Sequence, residues 1–198
     1  FGGRETVDVT VELPTGSSVS VESGFGALTT EGELGTCRVR TGMGDVRLDA
    51  TGSLSARSGF GSLSVERVDG DADVTAGSGA IRVGHVAGGA RLRNANGATT
   101  VDHVGGELRA KAANGDIVVG RAARSVTAKT ACGDVRILGA EAGTVVAESA
   151  AGEIEVDVRP GTAAWVDAAT RFGRVRNALD AGGEPTATES SVQLRCRT

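Results

Sequence analysis

With 31 glycines in 198 residues but only three prolines, the chain is rich in glycine against a usual share of roughly 7%, without the composition of a disordered Pro/Gly tract. It has no tyrosine, one tryptophan and four phenylalanines, which excludes a core built on large rings and points to many small layers of Val, Leu, Ile and Ala. A net charge of −4 argues against bulk affinity for nucleic acid, though it leaves room for a local basic face.

Taken in order, residues 6–13 alternate apolar and polar with period two, which predicts a half-buried strand, turned by Pro14-Thr15-Gly16. A repeat then takes over. Gly26, Gly44, Gly61, Gly79, Gly97, Gly115, Gly133, Gly152 and Gly173 stand 17 to 21 residues apart, with 18 the commonest step. Hydrophobic residues follow most of them at two and four positions, as in Asn114-Gly115-Asp116-Ile117-Val118-Val119. Small or apolar residues precede them by seven and five, from Val19 and Val21 before Gly26 to Val166 and Ala168 before Gly173. Each unit thus reads as strand, glycine turn, strand and second bend, the bend carrying Val68, Val86 or Val104 in three units. No window shows sustained helical spacing.

Two short strands cannot bury an apolar face alone, whereas stacked units can. The expected fold is all-β: a single parallel β-helix (β-solenoid) of nine to ten rungs at about 18 residues each, right-handed by the crossover rule, with rungs about 4.8 Å apart. One domain spans residues 1–198, with regular rungs over 23–177, a polar loop over 178–191 and the start of a further rung at 192–198. The turn glycines suit positive φ and close backbone approach. Phe25, Met43 and Phe60 share one corner position and should stack, and Thr41, Ser58, Asn94, Thr130 and Ser149 mark an inward polar column three residues before the glycine. An open C-terminal edge invites pairing, so a fragment, or an end that pairs with another chain, is expected.

The repeated Gly-Asp-Val/Ile units, with corners such as Thr75-Ala76-Gly77-Ser78-Gly79-Ala80-Ile81-Arg82-Val83, resemble the bacterial adhesin-like β-strand-repeat family over about residues 6–198. The stretches Ala164-Trp165-Val166-Asp167 and Phe172-Gly173-Arg174-Val175-Arg176-Asn177 look like actinobacterial members. That resemblance implies a domain of unknown function, a single-chain solenoid of parallel strands, and no catalytic residues to carry over.

On the outward face, four residues before the glycine, stand Arg40, Arg57, Thr75, Arg93, Lys111, Lys129 and Glu148, with Arg38, Arg91 and Arg109 two residues earlier. This is the candidate partner or polyanion face. The competing reading is a solvated surface whose charges blunt aggregation. Asp116, Asp134 and Glu153 stack one residue after their glycines. A nonapeptide calcium solenoid would need Gly-Gly-x-Gly-x-Asp at every turn, so solvation is the expected role of these acids. His85 and His103 share a position one rung apart, but Arg67 and Arg121 flank them and no third ligand recurs. The three cysteines, Cys37, Cys132 and Cys196, form no CxxC pair and suggest neither a disulfide framework nor zinc. No nucleophile, phosphate-loop or metalloprotease pattern occurs.

The chain is therefore expected to be a non-enzymatic scaffold or protein-interaction module, self-associating or bound to another protein, with no cofactor or metal. A polyanion- or envelope-binding module is the alternative. No run reaches the length of a membrane span and no signal-peptide pattern is visible. A cytoplasmic location is expected, with the cell surface as the alternative. The start at Phe1 points to an upstream part that has been removed.

Overall fold

The structure, a computed structural model, describes residues 7–159, 162–170, 174–176 and 191–198. Strands account for most of them. The first turns contain β1 (Val19–Phe25), β2 (Leu28–Thr29), β3 (Glu33–Met43), β4 (Val46–Phe60) and β5 (Leu63–Val68). The middle holds β6 (Ala72–Ser78), β7 (Ile81–Val86), β8 (Ala90–Asn96), β9 (Thr99–Val104), β10 (Leu108–Asn114) and β11 (Ile117–Ala122). The last part holds β12 (Val126–Cys132), β13 (Val135–Ala140), β14 (Gly143–Ala151), β15 (Ile154–Val158), β16 (Ala163–Ala169) and β17 (Ser191–Arg197).

The pairing follows from the repeat. Each strand lies parallel to the strand one turn away, as in Leu108 against Ala90 on one side and Val126 on the other. This builds two ladders. The first runs β1, β3, β4, β6, β8, β10, β12, β14. The second runs β2, β4, β5, β7, β9, β11, β13, β15, with the long β4 turning the corner between them. The chain is a parallel β-solenoid of about eight turns with about 18 residues per turn.

Period-two alternation decides which side chains enter. In the first ladder Cys37, Leu54, Ala72, Ala90, Leu108, Val126 and Val145 form one buried column, and Val39, Ala56, Val74, Leu92, Ala110, Ala128 and Ala147 a second. The second ladder adds columns through Ile117 and Val119, and Val68, Val86, Val104, Ala122 and Ala140 line the far bend with no exposure. Each fully buried Val, Leu or Ile contributes about 1.5–3 kcal/mol. As composition demanded, the largest fully buried side chains are Leu, Ile and Val.

The glycine corner has a double cause. From Gly26 to Gly152 the eight repeat glycines all have positive φ. At Gly115, φ is 139°, and a Cβ would lie 2.2 Å from the carbonyl oxygen of Gly97 one turn below. Conformation and contact both exclude a side chain there. Gly173 lies outside the described residues.

Both ends depart from the sequence expectation. Residues 7–13 are not a strand: Val7, Val9 and Val11 are 80%, 78% and 68% exposed. The alternation is real, but the first-turn position is taken by β1 and no strand among the described residues pairs with this segment, so its apolar side stays exposed. At the other end, β16 does not follow β14. The final strand β17 slots between them, pairing Val145 with Leu194 on one side and Leu194 with Val166 on the other. The inner slot is covered from both sides, and β17 offers Val192, Leu194 and Cys196 where β16 offers the smaller Ala164, Val166 and Ala168. The more apolar strand takes it, with Val192 and Leu194 1% and 4% exposed. Regular rungs therefore end at β15 rather than near residue 177: Val175 belongs to no strand and is 56% exposed. The expected loop over 178–191 lies outside the described residues except for Ser191, which opens β17.

Candidate functional site: the basic face of the first ladder

The outward side chains of the first ladder stand in two columns, fixed by the same register that stacks the core. Arg40 pairs in register with Arg57, Arg57 with Thr75, Thr75 with Arg93, Arg93 with Lys111 and Lys111 with Lys129. Beside them run Arg38, Ser55, Asp73, Arg91, Arg109 and Thr127. All five candidate cations thus share one face, interrupted only by Thr75. With Arg38, Arg91 and Arg109 they make eight cations on five of six successive strands, a field about 24 Å long at a strand spacing of about 4.8 Å.

Acids sit mainly at the borders of this field. Glu22 pairs with Arg40 at 3.2 Å at one end, and Glu148 with Lys129 at 2.8 Å at the other. Asp73 sits inside it, 3.9 Å from Arg91 and 3.8 Å from Arg93, while Glu107 holds Arg109 at 3.0 Å from the rim. Arg38, Arg57 and Lys111 have no ion pair among the described residues. Like charges one strand apart repel, so this arrangement carries a cost that an anionic partner would relieve. Sequence reasoning missed Arg195 and Arg197, which β17 brings onto the same face opposite Val146 and Glu148. Both pair with Asp167 of β16, at 3.6 and 3.5 Å. Their outward alternation with Leu194 and Cys196 was visible; their neighbour β14 was not.

The glycine corner borders this face. Its inner column is polar, as expected. Thr130 and Ser149 donate to the carbonyls of Gly115 and Gly133 at 3.1 and 2.8 Å, and Asn94 to those of Gly79 and Gly97 at 2.9 and 3.0 Å. The hydroxyls of Thr41 and Ser58 are buried with no partner among the described residues. The outer column stacks Phe25, Met43 and Phe60 in register, then Ser78, Asn96 and Asn114, where Asn114 Nδ2 donates to Asn96 Oδ1 at 3.0 Å.

The acids after the glycines correct the solvation reading. Asp116 Oδ1 accepts the backbone N–H of Asp134 at 2.8 Å, and Asp134 Oδ1 that of Glu153 at 2.9 Å. Asp45 does the same for Ser62 at 2.8 Å. Their carboxylates lace successive turns together at the corner.

His85 and His103 stack with centroids 4.7 Å apart and planes 5° from parallel. Faces rather than ring nitrogens meet. Desolvation, then the neighbouring His85 and Arg121, lower the His103 pKa. Among the described residues no three His, Cys, Asp or Glu side chains converge as metal ligands. Burial raises the pKa of Cys37, and burial with Asp167 that of Cys196, so both thiols stay protonated; Cys37 is the small core residue expected. No described helix is long and apolar enough to cross a membrane.

No curated protein and no solved structure matches the chain. A family model described as Toastrack DUF4097, a domain of unknown function, matches residues 1–168, which takes in every regular turn and β16 up to Ala168 but stops short of β17. The match carries neither the adhesin-like character nor the actinobacterial likeness expected from the sequence. Stacked parallel rungs from β1 to β15 and a family match that contains all of them place the chain in the Toastrack DUF4097 family.

Proposed function

We propose that this domain is a non-catalytic interaction scaffold whose working surface is the basic face of the first ladder, and that this face takes an anionic partner. The carrying observation is the in-register column of Arg40, Arg57, Arg93, Lys111 and Lys129 in a protein of net charge −4. Rigid, flat and charged, such a surface recognises by electrostatic complementarity and gains association rate from it. Long-chain polyphosphate is the probe. Binding should weaken steeply with salt, and replacing Arg57, Arg93 and Lys111 by Ser should lower the salt slope by about two, on the scale of about 0.7 per neutralised charge. A triple variant that binds like the parent sinks the reading.

A second reading, self-association, is favoured by the open edges: β16 and β15 each have one strand neighbour among the described residues, and the apolar side of residues 7–13 is exposed. Sedimentation velocity over a wide concentration range decides it, a constant monomer counting against it.

A further inference from the structure

The N-terminal end of the basic face differs from the rest in a way that names a partner. A shallow groove of about 540 Å³ runs along the solenoid axis there, lined by Glu22, Gly24, Arg40, Gly42, Arg57 and Gly59. Its floor is glycine in successive turns, and Gly77 holds the position one turn further; in later turns Ala95, Ala113, Ala131 and Ala150 do. Next along each strand, beside the groove and outside its lining, stand Phe25, Met43 and Phe60, 81%, 49% and 59% exposed. Beyond Phe60 this outer column becomes polar, through Ser78, Asn96 and Asn114. Over the first three of these turns glycine and an exposed apolar residue therefore adjoin, with Arg40 and Arg57 two positions before their glycines. Aromatic residues, Met and Arg are the side chains enriched in protein interfaces.

We infer that this groove docks an amphipathic α-helix of another polypeptide, laid along the solenoid axis with an acidic stripe on Arg40 and Arg57 and an apolar stripe on Phe25, Met43 and Phe60. The inference rests on the anionic-partner reading and narrows it. Spacing selects the helix. Rungs repeat every about 4.8 Å, and side chains three and four apart on a helix face rise about 4.5 and 6 Å, so two acids three apart meet Arg40 and Arg57. One face of an extended strand repeats every about 6.6 Å and slips out of step by about 2 Å per rung. The charge is available: Arg57 has no ion pair among the described residues, and Arg40 is 54% exposed despite Glu22.

Two synthetic peptides of identical composition test it. One carries Glu at three- and four-residue spacing beside a Leu stripe, and the other has the same residues scrambled. Fluorescence anisotropy with the full chain should show binding of the ordered peptide alone, with a gain of helical circular dichroism. Phe25→Ser with Phe60→Ser should weaken it by about tenfold or more while leaving salt-dependent polyphosphate binding unchanged. Arg93→Ser with Lys111→Ser should do the reverse, which separates failure of the groove from failure of the basic face. Both phenylalanines are exposed, and an unchanged melting temperature checks that the variants fold. Equal binding of the two peptides, or no effect of the Phe double variant, overturns the inference. So does capture of phosphatidylglycerol vesicles that needs Phe25 and Phe60 while neither peptide binds, since the groove would then serve a lipid surface.

Discussion

Gly115 concentrates the constraints of the corner. Its positive φ is strained for any other residue, and its missing Cβ makes room for the Gly97 carbonyl. Gly115→Ala should destabilise the fold by about 2–4 kcal/mol, more than the usual cost of a strained φ alone, in urea unfolding. Thr41 presents the opposite case. Its buried hydroxyl has no partner among the described residues, whereas Thr130 at the same position in a later turn donates to a glycine carbonyl. Thr41→Val should therefore be neutral or stabilising by about 1 kcal/mol, and Thr130→Val destabilising by a similar amount, when their unfolding midpoints are compared. Position in the repeat predicted both side chains to point inward; the carbonyl each could reach was set by the geometry of its own corner.

Among elements, the stacked histidines and the inserted strand have separate consequences. Arg67, His85, His103 and Arg121 form one column in register, so protonating His103 places its charge beside that of Arg121. Glu33 and Asp69 face Arg67, and Glu141 faces Arg121 and opposes the lowering at His103. A folded-state pKa below the ordinary 6.5 means that the unfolded chain binds the proton more readily. The contribution is present above pH 6.5 and is lost as pH falls through that value towards the lowered folded pKa. Unfolding free energy should decline over that window, and His103→Gln should flatten the decline. For β17, Leu194 is buried between β14 and β16. Leu194→Ala should cost about 2–4 kcal/mol in thermal or urea unfolding, whereas a strand merely appended to the end of the stack would show far less.

At the scale of the whole molecule, a rod of small-residue layers offers surfaces rather than a pocket. The basic face occupies one side of it, while acids such as Asp45, Asp116 and Asp134 lie at the corners and Asp49, Glu66 and Asp102 on the second ladder. Long-range attraction between this face and an anion acts over a Debye length of about 8 Å at physiological salt, so binding at low salt should exceed binding at physiological salt by a large factor.

The period near 18, the alternation on each strand and the repeated glycines determined the solenoid, its core columns, its positive-φ corners and the alignment of the five basic residues, because a stack of like units allows only one register that buries every apolar side chain. What the tertiary structure alone decided were the places where that rule has competing solutions. Residues 7–13 have the pattern of a strand and no strand among the described residues to pair with. Residues 163–169 and 191–197 both fit beside β14, and the larger side chains won the buried slot, bringing Arg195 and Arg197 to the basic face. Asp116, which local sequence left to solvent, found the N–H of Asp134 one turn away. Each of these outcomes depends on a neighbour distant along the chain, and a local pattern contains no information about which neighbour that will be.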